Sequence, residues 1–171
     1  MTHIFTTKKL EKIIHKKINK DDFFVENKLG NWNANVFFIA KKKCILFVNS
    51  KTFFSVVIPR FSVKDINNLD QLFIDNLHEQ LLYENIEIDY KVMLSEIGEI
   101  KFNPTNNNRK TIGILTYNIE KMNYFKYEYP VFNNLVIREM TEKLNNTPFK
   151  QLDWKNPGEK MLSLLKEQSL I

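Results

Sequence analysis

Hydrophobic residues in the second fifth of the chain fall into three short runs separated by polar turns. The runs cover residues 36–39, 44–48 and 53–58 and are rich in β-branched and aromatic side chains. This length and composition predict strands joined as an antiparallel β-meander over about residues 34–58. Since each run is nearly continuous in apolar character, we expect either a sheet covered on both faces or central strands in a larger sheet.

Outside this stretch, apolar residues recur at steps of three and four, which predicts amphipathic helices. The clearest pattern spans residues 66–81 and follows a capping-box-like pair, Ser62 and Asp65. Further helices are expected near residues 7–14, 92–97, 110–125 and 135–144 and from Asn156, and short strands near 2–5 and 99–102. The predicted fold class is α+β: the meander plus short extra strands, packed with four to five helices around one core. We expect a single domain, residues 1–171.

Two polar stretches are expected to be loops. Residues 18–33 contain the breakers Asp21, Asp22 and Gly30, and their apolar residues 23–25 are expected to contact the core. Residues 105–110, TNNNRK, precede a predicted helix. If Asn108 caps that helix, free backbone N–H groups and Arg109 together favour an anion such as phosphate. Alternatively, these Asn side chains only cap turns and helices.

The formal net charge is +5, and most of the excess comes from clustered lysines. Such a balance permits nucleic-acid contact, although scattered lysines also serve solubility alone. No stretch of about 18 apolar residues predicts a membrane span, and residues 1–20 lack a secretory apolar segment. We therefore expect a cytoplasmic protein without membrane contact. The sequence does not set its oligomeric state.

Few residues have the types and spacing that catalysis requires. The sequence contains no P-loop, no glycine-rich dinucleotide fingerprint and no paired-histidine metal motif. With three histidines and one cysteine, Cys44 in an apolar run, no metal site and no cofactor are expected. His3, beside a predicted strand, is the one histidine of interest.

Polar residues that flank the predicted strands and helices define a candidate polar cleft. Its members are Trp32, Asn33, Asn35, Lys51, Ser55, Asn107, Arg109 and Asn118. A common cleft requires the edge of the meander and the Asn-rich loop to converge. We expect Trp32, Lys51, Arg109 and Asn118 to approach one another.

Several of these segments resemble the motifs of one bacterial family. Residues 30–37, GNWNANVF, resemble its GDWxANxF, and residues 42–55 resemble RKCxLFxNxxTLFS. Residues 105–113 resemble TxNRSVLGSMND, in which the Asn matches Asn118, and residues 144–157 resemble LNRIPMxxLGYKYP. The likeness keeps the motif order over nearly the whole chain, and the sequence resembles the domain-of-unknown-function family 6933.

The resemblance implies a shared fold and supplies no activity. The chain departs from the family pattern at Asn31, where the family has Asp, at Lys110, where it has Ser, and at Asn146, where it has Arg. If the Asp or the Arg of the family performs chemistry, this chain lacks it.

Three hypotheses for function follow. The first is a non-catalytic binding module that contacts nucleic acid or a protein partner, supported by the positive charge and the Asn-, Lys- and Arg-rich loops. The second is a protein partner or regulator in a mobile-element, toxin–antitoxin or phage-defence operon. The third is a small ribonuclease-like or phosphate-ester enzyme. It would use Asn33, Lys51, Ser55, Arg109 and Asn118 around one pocket, because catalytic groups must meet at one reacting atom.

Overall fold

The computed structural model describes residues 1–19 and 24–171, in which five strands form one mixed sheet. The strands are β1 (Thr2–Thr6), β2 (Trp32–Ile39), β3 (Lys42–Asn49), β4 (Ser55–Ile58) and β5 (Ile100–Asn103). Their order across the sheet is β4-β3-β2-β1-β5, so β4 and β5 form its edges.

The predicted meander is confirmed over β2, β3 and β4, which pair antiparallel in sequence order. The sheet as a whole is mixed, because β1 pairs in parallel with both β2 and β5. Parallel neighbours cannot be joined by a tight turn, so the chain between β1 and β2 crosses over through a helix. Strand positions were readable in the sequence, whereas these long-range partners were not.

Six α-helices occur in the described residues, where four to five were expected. They are α1 (Lys8–Ile13), α2 (Leu69–Tyr83), α3 (Tyr90–Ile97), α4 (Arg109–Phe125), α5 (Asn134–Asn145) and α6 (Pro157–Glu167). Both α1 and α3 lie where a helix was expected, but the total was set too low because they are only six and eight residues long. Helices this short contain too few apolar repeats to be counted firmly.

The predicted helix starts are confirmed by side-chain caps. Ser62 and Asp65 form a capping box, which opens a 3₁₀ helix (Val63–Asn68) directly before α2. Asn108 accepts a hydrogen bond from the Thr111 N–H at the start of α4. Asn156 forms a second capping box at the start of α6. These local signals placed the helices correctly because caps depend on neighbouring residues alone.

Apolar residues pack on both faces of the sheet, as the continuous apolar character of its strands predicted. Along β3, Ile45 and Phe47 join one cluster, while Cys44, Leu46 and Val48 join the other. Helices α1, α2, α3 and α6 contribute to the first cluster, on the α2 face, and α4 and α5 to the second, on the α4 face. The expected single core is therefore corrected to two, because a sheet covered on both sides separates its apolar contacts into two layers.

The loop before β2 is seen in part. Residues 20–23, which include the predicted breakers Asp21 and Asp22 and the apolar Phe23, lie outside the described residues. Phe24 and Val25 were expected to contact the core, but they are 43% and 56% exposed. The Phe24 ring still packs against the Phe5 ring, with the centroids 5.1 Å apart.

Candidate functional site

The two faces of the sheet separate the members of the predicted cleft. Trp32 is buried on the α2 face, where its ring packs against Phe73 with the centroids 5.1 Å apart. Asn33 and Asn35 alternate with Trp32 along β2 and therefore point to the α4 face. Asn118 lies on α4 itself. The sheet thus stands between Trp32 and the other three residues.

Asn33 and Asn35 make local contacts near the carboxyl end of β1. Asn33 is buried, and its Nδ2 donates to Asn106 Oδ1 over 3.1 Å. Asn106 Oδ1 also accepts from the Asn108 N–H over 3.1 Å. Asn35 Oδ1 accepts from Thr7 Oγ1 over 2.6 Å. The amides of Asn33 and Asn106 thus shape the loop that leads into α4, whereas Asn35 contacts the residue that caps α1.

Asn107 and Arg109 stand on either side of the α4 cap and are exposed. Asn107 has a left-handed φ of 54°, a conformation that Asn tolerates better than most residues. The cap at Asn108 satisfies one free backbone N–H of the helix. Anion binding at this helix start remains a prediction.

Ser55 and Asn118 are the two candidates that contact each other directly. Asn118 Nδ2 donates to Ser55 Oγ over 2.9 Å, and both residues are buried. Asn145, at the end of α5, accepts the Ser55 N–H at its Oδ1 over 2.7 Å and donates from its Nδ2 to the Ser55 carbonyl over 3.1 Å. Because β4 is an edge strand, the Asn145 amide takes the place of a neighbouring strand.

One buried side chain fixes the turn between β3 and β4. Asn49 Oδ1 accepts from the Lys51 N–H, the Thr52 N–H and the Thr52 hydroxyl, at 3.0, 3.0 and 3.1 Å. Its Nδ2 donates to the Leu29 carbonyl over 2.9 Å. These four hydrogen bonds hold the turn in one conformation, with Lys51 exposed.

Lys51 lines a cavity of about 220 Å³ together with two lysines from the last part of the chain. This lysine cavity is lined by Lys51, Thr52, Lys155, Lys160, Ser163, Leu164 and Glu167. The Lys51 ammonium donates to the carbonyls of Asn27 and Lys28, over 3.3 and 3.0 Å. The described residues form three salt bridges, and none of them uses a lysine of this cavity. Three ammonium groups and one carboxylate give the cavity a positive potential.

The adjoining segment, which we call the 149–155 loop, presents an exposed tryptophan. Trp154 is 69% exposed, and both Asp153 and Trp154 have left-handed φ angles, of 56° and 63°. The Trp154 N–H donates to the Phe149 carbonyl over 3.0 Å, and the Phe149 N–H donates to the Lys155 carbonyl over 3.2 Å. Since Lys155 belongs to both features, the indole stands one residue from the lysine cavity.

Aromatic rings connect this loop to the β3–β4 turn and to α4. The Phe149 ring packs edge-on against Phe53 and Tyr117, with centroids 5.7 and 5.8 Å apart. Lys110, in the first turn of α4, places its Nζ 5.0 Å from the Phe53 centroid. We call the lysine cavity, the 149–155 loop and Lys110 together the basic surface.

A second cavity, of about 310 Å³, is acidic and also reaches the first turn of α6. Its lining includes Glu84, Glu142 and Glu159. Gln80 Nε2 and Asn145 Nδ2 each donate to Glu84 Oε1 over 2.7 Å. Burial raises the pKa of Glu84 to about 7, although these two hydrogen bonds act in the opposite direction. Glu84 therefore titrates near neutral pH while in contact with the residue that holds β4.

His3 is buried among the strands on the α4 face. Asn103 Nδ2 lies 3.1 Å from His3 Nδ1, and an amide that donates there leaves the ring proton on Nε2. Burial lowers the pKa of His3, and Lys101 and the N-terminal amine lower it further. The His3 ring packs against the rings of Phe5 and Phe24. These contacts give His3 a place in the packing of the sheet.

Sequence reasoning named Lys51 and missed most of the basic surface. Lys155 and Lys160 follow Lys51 by about a hundred positions, and no periodicity or motif signals such a contact. The exposed pair Trp154-Lys155 was a usable signal, since an aromatic ring beside a cation is typical of nucleic-acid contacts. The Asn145 contact was also missed, because its partner Ser55 is 90 positions away in the chain.

The fold is thus α+β, with a mixed sheet that is covered on both faces. The basic surface lies beside its β3–β4 turn. The family described as Domain of unknown function (DUF6933) matches residues 3–160, and the chain belongs to it. The motif resemblance is confirmed, and several motif residues lie in the turn and edge contacts described above. No curated protein matches the chain. Within the described residues, no helix is long and apolar enough to cross a membrane.

Proposed function

We propose that this protein is a non-catalytic binding module that contacts nucleic acid through the basic surface. The observation that carries the proposal is the lysine cavity, where Lys51, Lys155 and Lys160 meet without a salt-bridge partner among the described residues. Clustered ammonium groups without a salt-bridge partner attract phosphates, and counterions are released on binding.

A binding module is favoured over an enzyme because the proposed catalytic residues are engaged elsewhere. Ser55 and Asn118 bond to each other at the edge of the sheet, whereas Lys51 lines the lysine cavity. Asn33 is bonded to the loop before α4. Catalytic groups must meet at one reacting atom, and these contacts assign them to separate structural tasks.

Contact with a protein partner is a second candidate, and a different surface favours it. Leu82 and Leu135 are 45% and 69% exposed and line an open groove of about 370 Å³ between α2 and α5. Exposed apolar side chains that share a groove are typical of protein contacts. Sedimentation equilibrium of wild type and of Leu135→Asp tests the self-association form: dimers that the substitution dissociates support it, and a monomeric wild type excludes it.

Fluorescence anisotropy with labelled oligonucleotides tests the nucleic-acid proposal. We expect binding at low salt, with an affinity that falls as salt rises. The double variant Lys155→Gln/Lys160→Gln should bind roughly tenfold more weakly and reduce the slope of log K against log salt by about 1 to 2. Neither lysine forms a salt bridge in the described residues, so the fold should be unaffected.

The matched control removes two positive charges elsewhere. Lys64 and Lys91 are exposed and lie outside the basic surface. Lys64→Gln/Lys91→Gln should keep the wild-type salt slope and nearly the wild-type affinity. An equal loss in both double variants would show that net charge alone acts, and absence of binding at low salt would refute the proposal.

A further inference from the structure

The backbone that carries Trp154 is held in a conformation that its sequence disfavours. Asp153 and Trp154 are consecutive left-handed residues, and neither is glycine. A side chain with a Cβ pays a steric cost there. In the described residues one other consecutive pair occurs, Ala40 and Lys41, which forms the two-residue β2–β3 hairpin turn, whose geometry requires positive φ. The 149–155 loop is no hairpin. Asp153 ends the short 3₁₀ helix Lys150–Leu152, where a left-handed residue is common, whereas Trp154 is left-handed one residue beyond that end.

Hydrogen bonds and buried neighbours maintain this conformation. The Trp154 N–H and the Lys155 N–H donate to the carbonyls of Phe149 and Leu152, over 3.0 and 3.1 Å. Leu152 is buried, and Phe149 packs against Phe53. The anchored loop thus supports a large aromatic ring that is 69% exposed. Retained strain under an exposed ring is typical of sites selected for contact and not for stability.

We infer that the basic surface binds single-stranded nucleic acid, with an unpaired base stacked on Trp154 and the neighbouring phosphates at Lys155 and Lys160. This inference rests on the proposed function and narrows its ligand. A base offers its face to an indole only when it is free of a duplex stack. Adjacent Cα atoms lie about 3.8 Å apart. Trp154 can therefore contact the base, and Lys155 the phosphate, of one nucleotide.

The positions of the lysines agree with a nucleic-acid strand that continues past the 149–155 loop. Lys160 follows Lys155 on α6 and lines the same cavity, and Lys51 enters it from the β3–β4 turn. Lys110 adds a further cation beyond the Phe53 and Phe149 rings. Positive groups on both sides of one stacking platform match a backbone that runs across it. Stacking on the Trp154 ring does not select one base over another, because every base has an aromatic face.

Anisotropy with a single-stranded oligonucleotide and its duplex separates the role of the ring from that of the charges. Trp154→Ala should weaken single-strand binding about tenfold, leave the salt slope unchanged and leave duplex binding unchanged. Trp154→Phe should recover most of the affinity, since a ring is restored. Binding should also quench the tryptophan fluorescence of wild type but not of Trp154→Phe, in which buried Trp32 is the remaining tryptophan.

A measurement of thermal stability distinguishes a variant that has lost binding from one that has lost its fold. Trp154→Gly removes the ring and relieves the left-handed strain, so its melting temperature should equal or exceed that of wild type while its single-strand affinity falls. Unchanged single-strand binding by Trp154→Ala, or a preference of wild type for the duplex, overturns this inference alone. Absence of all binding at low salt overturns it together with the proposed function.

Discussion

At the residue scale, Glu84 shows how burial sets a charge state inside this fold. The carboxyl group accepts from Gln80 and Asn145, yet burial raises its pKa from 4.5 to about 7. The folded state therefore holds a proton on Glu84 at pH values where the unfolded chain has lost it. Protonation stabilises the fold below about pH 4.5, and this stabilisation is lost as the pH rises through about 7.

Glu84→Gln should remove this pH dependence. Its amide oxygen can accept from the same two donors without a charge, so the variant should be more stable than wild type at pH 8. The difference in free energy of unfolding between variant and wild type should grow by on the order of 2 kcal/mol between pH 4 and pH 8. Urea unfolding at several pH values measures it.

The control for this prediction is Glu87→Gln, which removes a carboxylate from an exposed position three residues along. Its stability should follow that of wild type across the same pH range. Parallel stability curves for wild type and Glu84→Gln would show that the Glu84 carboxyl titrates at the same pH in the folded and unfolded chains.

At the element scale, the β4 edge depends on one side-chain amide. Asn145 contacts the backbone of Ser55 at both its N–H and its carbonyl, and donates to Glu84 as well. Asn145→Ala should lower the free energy of unfolding by about 2–4 kcal/mol, because it leaves buried backbone groups without partners. Denaturant unfolding followed by circular dichroism measures the loss.

The neighbouring Asn146 provides the matched control, since it is exposed and carries the same side chain. Asn146→Ala should change the stability by no more than about 0.5 kcal/mol. Equal effects of the two substitutions would mean that water replaces the Asn145 contacts and that the strand edge is held by other groups.

Local sequence signals predicted most helices and strands. The features that the sequence did not predict depend on contacts between segments far apart in the chain. The cap at Asn108 and the capping boxes at Ser62 and Asn156 act within four residues, so the sequence alone located these helix starts. The parallel pairing of β1 with β5 joins segments about a hundred residues apart and has no local signature. The separation of Trp32 from Asn33 has a different, local cause: adjacent residues of a strand point to opposite faces of the sheet.

At the scale of the whole molecule, buried polar residues stabilise the fold, and exposed ones form the basic surface. Asn49, Ser55 and Asn118 are buried and hold the β3–β4 turn and the strand edge. Lys51, Lys155 and Lys160 line the cavity beside that turn, and Trp154 is exposed on the adjoining 149–155 loop. Most of the polar residues that sequence reasoning selected for function thus serve the fold. The proposed contacts come from Lys51 and from residues that only the tertiary structure brings to it.

Nuclear magnetic resonance titration of the ¹⁵N-labelled protein with a single-stranded oligonucleotide tests the central claim most directly, because it locates the contact without any substitution. We expect the shifted amide signals to cluster at residues 50–53, 109–111 and 149–163, with the Trp154 indole N–H among those that move most. Shifts concentrated on α3 or on the groove between α2 and α5, or none at low salt, would contradict the assignment of nucleic-acid binding to the basic surface.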